Sequence, residues 1–171
     1  PLYLEALEGR RRVLGPEHPR TLNTQGKLAE LYRASGRLDQ ALAMLEQVHT
    51  THLASLGPDH PETIDSTARL ASLCHEASQH DMALEHYTQA LASAVEEQGE
   101  QSSITARSPA GLGDLHEALG HYPAAEPLYE EALAIRSEVL GAEHPDTLEA
   151  VANVALIRWR TGQTEGAQAL Y

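Results

Sequence analysis

The hexapeptide Leu14-Gly15-Pro16-Glu17-His18-Pro19 returns as Leu56-Gly57-Pro58-Asp59-His60-Pro61 and again as Leu140-Gly141-Ala142-Glu143-His144-Pro145. Its glycines are separated by 42 and then 84 residues, and Gly99 lies midway between the last two. A second marker keeps the same step: Gly36, Gly120 and Gly162, with Ser78 in the glycine's place in one unit. Leu2-Tyr3, His86-Tyr87, Leu128-Tyr129 and Leu170-Tyr171 supply a third. Three markers in one phase describe an array of supersecondary units, each unable to bury its apolar side without its neighbours.

Each unit reads as two helices. Gly15 lies just past the end of one helix, where a left-handed residue is often needed. The proline of His-Pro then enters the first turn of the next, where its missing N–H costs nothing. Leu22, Leu28, Leu31 and Tyr32 form one apolar stripe ending at Gly36, and Leu38, Ala41, Leu42, Leu45 and Val48 form the partner stripe. Aromatic residues make up 4% of the 171 and phenylalanine is absent. The core therefore consists of Leu, Ala, Val and Ile, a composition suited to closely packed helices. Phase places the units at about 1–42, 43–84, 85–126 and 127–168 of a single array. Partial second-type helices, roughly 1–14 and 164–171, stand at the two ends. Such ends are expected to be covered by flanking repeats, by a partner, or by end-to-end self-association.

The third unit breaks the pattern. Gly99-Glu100-Gln101-Ser102-Ser103 replaces the Gly-Pro-Glu-His-Pro run, and Pro109, Gly111 and Gly113 fall inside the first helix. An interior proline costs about 3 kcal/mol and each glycine about 1 kcal/mol relative to alanine. The expectation is a late start, with Ser108 as N-cap, Pro109 in the first position and residues 99–107 as a longer connection. That connection is either drift in a tolerant repeat or a binding loop or hinge.

A formal net charge of −13 disfavours nucleic acid and anionic membrane surfaces, both of which need clustered Lys and Arg. No apolar run reaches the roughly 18–20 residues of a spanning helix, and no signal-peptide pattern opens the chain. The expected location is the cytoplasm or another intracellular compartment. Cys74, the single cysteine, excludes an internal disulfide and sits at a packing position. His75 beside it points to another helix face, which argues against a Cys–His nucleophile. Of ten histidines, His18, His60 and His144 belong to the helix-start signal and stand too far apart to share one ion. His49 and His52 could share a helix face but lack further ligands. Gly111 and Gly113 lack the lysine and the strand-to-helix context of a phosphate loop. No catalytic residue, cofactor or metal ligand is expected, and the chain does not read as an enzyme.

Small and large residues fall at fixed offsets: Leu28-Ala29, Tyr32, Gly36, Ala41, Leu45, Val48; Leu70-Ala71, Cys74, Ala83, Tyr87, Ala90; Leu112-Gly113, Gly120, Ala125, Tyr129, Ala132; and Val154-Ala155, Gly162, Ala167, Tyr171. This resembles the tetratricopeptide repeat. The usual repeat has about 34 residues; the longer period with Leu-Gly-Pro-Glu-His-Pro is similar to the kinesin light chain subtype. The resemblance implies an all-α, right-handed α-solenoid of antiparallel helix pairs, about nine helices including truncated terminal ones. It also implies a concave face on the first helix of each pair. Carried onto this chain, that face comprises Asn23, Glu30 and Arg33; Asp65, Ser72, His75 and Glu76; Arg107, Asp114 and Glu117; and Glu149, Leu156, Trp159 and Arg160. Six acids against three arginines make it mildly acidic and suited to a basic or neutral partner. Leu156 and Trp159, three residues apart, are candidate anchors.

One departure concerns mechanism. The subtype's Asn-Asn pair, whose first member can hold a peptide backbone, is replaced by Gly26-Lys27, Ala68-Arg69, Ala110-Gly111 and Ala152-Asn153. Three readings follow. The first is a non-catalytic module binding a peptide or helix of a protein partner in the groove. The second is a scaffold segment of a longer solenoid or assembly, held through its ends and convex face. The third is a regulatory repeat region of a multidomain ATPase or protease.

Overall fold

The computed structural model describes residues 2–98 and 103–163, with backbone only for 95–98 and 103–106. Among them are eight helices: α1 (Leu2–Leu14), α2 (Pro19–Ala34), α3 (Leu38–Leu56), α4 (Pro61–Glu76), α5 (His80–Gln98), α6 (Ser103–Ala118), α7 (Tyr122–Leu140) and α8 (Pro145–Arg160). Each packs against the next in the chain, and α4 also reaches α6. The first-type helices α2, α4, α6 and α8 have 16 residues each. The second-type helices α3, α5 and α7 have 19. Every one starts 42 residues after its counterpart, so the architecture is the all-helical solenoid expected from the repeat. The expected ninth helix, 164–171, lies outside the described residues.

Two local devices set the helix boundaries. At each first-to-second turn the chain closes a Schellman motif. The N–H of Arg37 reaches Tyr32 O at 2.9 Å, Gln79 reaches Cys74 O at 2.8 Å, His121 reaches His116 O at 2.8 Å and Gln163 reaches Arg158 O at 2.8 Å. The residue before each donor has positive φ: Gly36 at 72°, Ser78 at 60°, Gly120 at 75° and Gly162 at 85°. Before α2, α4 and α8 histidine is the N-cap. Nδ1 of His18, His60 and His144 accepts the N–H two residues on, at 3.1, 3.2 and 3.2 Å, with proline following.

The third unit corrects the sequence expectation. Helix α6 begins at Ser103, in register with Pro19, Pro61 and Pro145, not at Ser108. Residues 103–107 are therefore helical rather than part of a connection, while 99–102 lie outside the described residues. Pro109 is buried inside the helix, and Ser108 Oγ, far from capping anything, is buried with no hydrogen-bond partner. The neighbouring units explain the result: packing of α6 between α5 and α7 outweighs the backbone bond that proline deletes. Gly111 and Gly113 have a packing cause. A Cβ on Gly111 would run into the Tyr87 ring, and one on Gly113 would lie 2.7 Å from Tyr129 Cε1.

The interior follows the expected offsets. One continuous cluster joins Leu7, Leu28, Leu45, Leu70, Leu73, Cys74, Tyr87, Leu112 and Leu115, with Ala29, Ala41, Ala71 and Ala83 between them. The alanines bring helix axes close, and each buried leucine contributes about 1.5–3 kcal/mol. A polar staple ties successive units. Arg10 donates to Arg20 O at 3.0 Å, His52 to Glu62 O at 3.1 Å and Arg136 to Asp146 O at 2.8 Å. The equivalent position in the third unit is Ala94, buried beside Ile64, Ala68 and Ala90.

Candidate partner-binding groove

Because the first-type helices repeat in register, residues at one offset form a row across the molecule. One row holds Asn23, Asp65, Arg107 and Glu149; another Glu30, Ser72, Asp114 and Leu156; a third Arg33, His75, Glu117 and Trp159. Glu30, Arg33, Asp65, Ser72 and Arg107 line one cavity of about 320 Å³, floored by Ala29, Leu45 and Leu73. Asn23 and Asp65 line an adjoining cavity of about 920 Å³. Asp114, Glu117 and Arg160 line a further one, with Tyr122 at its edge.

The charges in the first cavity are paired with each other. Arg33 lies 3.5 Å from Glu30 and 3.4 Å from Glu76, and Arg69 lies 3.0 Å from Glu30 and 3.7 Å from Asp65. Arg107 reaches Asp65 at 2.6 Å. Glu76–Arg33–Glu30–Arg69–Asp65–Arg107 thus form an unbroken chain of alternating sign across α2, α4 and α6. Each link is partly exposed and worth about 0–1 kcal/mol alone. Its central member, Arg69, is absent from the expected concave set, since it occupies the second position of the missing Asn-Asn pair. Nη2 lies 3.4 Å from Gly26 O, and a Cβ on Gly26 would meet Nη1 at 3.4 Å. The guanidinium lies against residue 26, close enough that a Cβ there would touch it. The counterparts Ala68 and Ala110 are buried and offer a partner no polar group.

Two tyrosines from the second-type helices also enter the groove, at offsets read from sequence only as packing positions. Tyr87 donates to Ser72 Oγ at 2.9 Å, and burial pushes its pKa up to about 12 despite that bond. Tyr129 Oη lies 2.9 Å from Asp114 Oδ1 and 2.8 Å from Glu117 Oε2. Burial first, then the Asp114 charge, raises its pKa well above the ordinary phenol value. Loss of water on its inner side raises the Asp114 pKa as well, partly opposed by the Tyr129 hydrogen bond. Glu117 pairs with Arg160 at 3.3 Å, whose guanidinium sits 5.5 Å from the Tyr122 ring centre.

The remaining candidates are dispersed. Glu149 approaches Arg136 at 3.9 Å. His75 is half-buried, its ring 5.8 Å from that of His80 at the turn. Leu156 is 37% and Trp159 64% exposed. Cys74 is buried, and burial, then Glu46, raises its pKa, so the sulfur stays a thiol. Among the described residues no group of three or more His, Cys, Asp or Glu could hold a metal ion. No described helix is long and apolar enough to cross a membrane.

A tetratricopeptide repeat family model matches residues 1–52, 28–96 and 102–171. No curated protein sequence matches the chain significantly. Among solved structures the chain is similar to BtubC (BKLC) from P. vanneervenii, at 25% identity and TM-score 0.84, over 99% of this chain and 67% of that one. It is also similar to a putative kinesin light chain from Podospora anserina with nearly identical repeats, at 28% identity and TM-score 0.79, over 99% and 80% of the two chains. A Rap protein complexed with competence and sporulation factor shares the fold at 22% identity and TM-score 0.82, this chain spanning 45% of it.

Proposed function

Because the chain belongs to the tetratricopeptide repeat family, we propose that it is a non-catalytic protein-interaction module. It takes a peptide or helix of a partner along the face of α2, α4, α6 and α8. The observation that carries this reading is that polar side chains of one row after another line cavities on this face, with exposed Leu156 and Trp159 in the same rows. Exposed tryptophan on a rigid helix is the side chain most favoured as an interface anchor. The Rap protein complexed with a factor supports the reading at the level of fold.

The ion chain through Arg69 favours a second reading, a scaffold segment whose groove satisfies itself and whose contacts lie elsewhere. Exposed Leu2, Val13 and Leu148, on the first and last described helices, would then carry end-to-end contacts.

A peptide-library selection on the chain, run beside a Trp159→Ala and Arg33→Glu double variant, separates the two. Binders that the variant loses establish the groove as the recognition site. A selection without enrichment, accompanied by end-to-end association in light scattering, supports the scaffold instead.

A further inference from the structure

The two halves of the groove are not alike. In the half built by α2 and α4, the guanidinium of Arg107 included, three arginines meet three carboxylates, and every one is paired. An incoming charge there must break an existing pair before making a new one. In the half built by α6 and α8, Asp114, Glu117 and Glu149 stand together. Glu117 has Arg160 and Glu149 has the distant Arg136. Among the described residues no lysine or arginine pairs with Asp114.

Its hydrogen bond from Tyr129 is also contested. Tyr129 has a single hydroxyl proton, yet Asp114 and Glu117 both lie within 2.9 Å of its oxygen. Only one carboxylate at a time can accept that proton. A cation reaching Asp114 would therefore meet a carboxylate that no Lys or Arg among the described residues neutralises, with only the His75 ring placed to offset its charge.

The same half carries the apolar change of character. Where the first three units have Glu30, Ser72 and Asp114, the fourth has Leu156. Where they have Arg33, His75 and Glu117, it has Trp159. Two large apolar side chains thus stand exposed beside under-compensated acids, whereas the paired half exposes none of that kind in these rows.

We infer that the α6–α8 half of the groove is the seat of a protein segment carrying a lysine or arginine beside an apolar side chain. This rests on the interaction-module reading and narrows it to one half-site and one ligand chemistry. The cation goes to Asp114, and the apolar side chain goes against Leu156 and Trp159, where the indole face can also attract the cation. Charge complementarity sets the approach and its sign.

Trp159 is the sole tryptophan, so its emission reports directly on the seat. Two capped peptide arrays are compared, one pairing Arg or Lys with Leu or Pro, the other with Glu in place of each basic residue. The basic array is expected to shift Trp159 emission to the blue and saturate, and added salt to weaken it. By anisotropy of labelled peptides, Asp114→Asn and Trp159→Ala should each weaken binding by roughly tenfold. Arg12→Ala, exposed on α1 outside the groove, should leave it unchanged, and circular dichroism confirms that each variant is folded. Equal or tighter binding of the acidic array overturns the inference. Loss of binding with Arg69→Ala but not with Asp114→Asn also overturns it, while leaving the interaction module standing. Shielding of Trp159 from acrylamide in the free protein overturns it too, since the chain itself would then cover the seat. Only the failure of every library peptide would sink the broader reading as well.

Discussion

Ser78 holds its backbone at φ 60° where its counterparts Gly36, Gly120 and Gly162 stand between 72° and 85°. A Cβ in this region is strained by about 1–2 kcal/mol, and glycine removes that strain at some cost in unfolded-chain entropy. Ser78→Gly should therefore raise stability by roughly 0.5–1 kcal/mol, read as a higher urea midpoint at unchanged slope. A lower midpoint would show that the serine side chain, and not the φ, governs the position. This substitution is legible from sequence, because the marker repeats and Ser78 alone departs from it. Arg69 is the opposite case. Its offset says only that an asparagine is missing. Its place in the ion chain is set by Glu30 of the preceding unit and Asp65 of its own, and the guanidinium lies against Gly26.

At the scale of the helix, α6 shows how a neighbour overrides local preference. Pro109, Gly111 and Gly113 each disfavour a helix, yet α6 runs its full 16 residues in register with α2, α4 and α8. Gly111 is required by Tyr87, the ring that also bonds Ser72 on α4. Gly111→Ala is thus expected to destabilise by about 1–3 kcal/mol through overpacking, despite alanine's better helix propensity. Adding Tyr87→Leu, the residue found at the equivalent Leu45, should recover most of that loss. A double variant no better than Gly111→Ala alone would show that the ring is not the obstacle. The 42-residue period alone points to the observed start at Ser103, whereas local propensity points to Ser108; the two flanking units outweigh it.

At the scale of the molecule, the array is a succession of nearest-neighbour interfaces, and one of them is acid-sensitive. His49 on α3 stands where the other units have Leu7, Leu91 and Leu133. Its ring lies 6.1 Å from that of His86 on α5, and Nδ1 is 3.2 Å from Thr67 Oγ1 on α4. Burial first, then the charges of His86 and His52, lower its pKa below 6.5. Above pH 6.5 the ring is neutral in both folded and unfolded chains, so its contribution to stability is complete. As pH falls below that value the unfolded chain takes up the proton first, and stability drops until the folded-state pKa is passed. His49→Leu should flatten this part of the stability-against-pH curve. An unchanged slope in thermal unfolding would assign it to other groups. The family match and the structural neighbours agree with this repeat-by-repeat organisation.

The sequence by itself determined the phase of the described helices, the glycines that end them and the His-Pro signal that starts them, and the small-and-large core. Each of these depends on backbone conformation or on contacts between helices adjacent in the chain, which a period of 42 residues displays directly. Only the tertiary structure decided which charges satisfy one another, how α6 accommodates Pro109, and why Gly111 and Gly113 are there. Those outcomes depend on side chains from different repeats meeting in space. There, a phenol at Tyr87 decides which residue can stand at position 111 without changing the pattern along the chain.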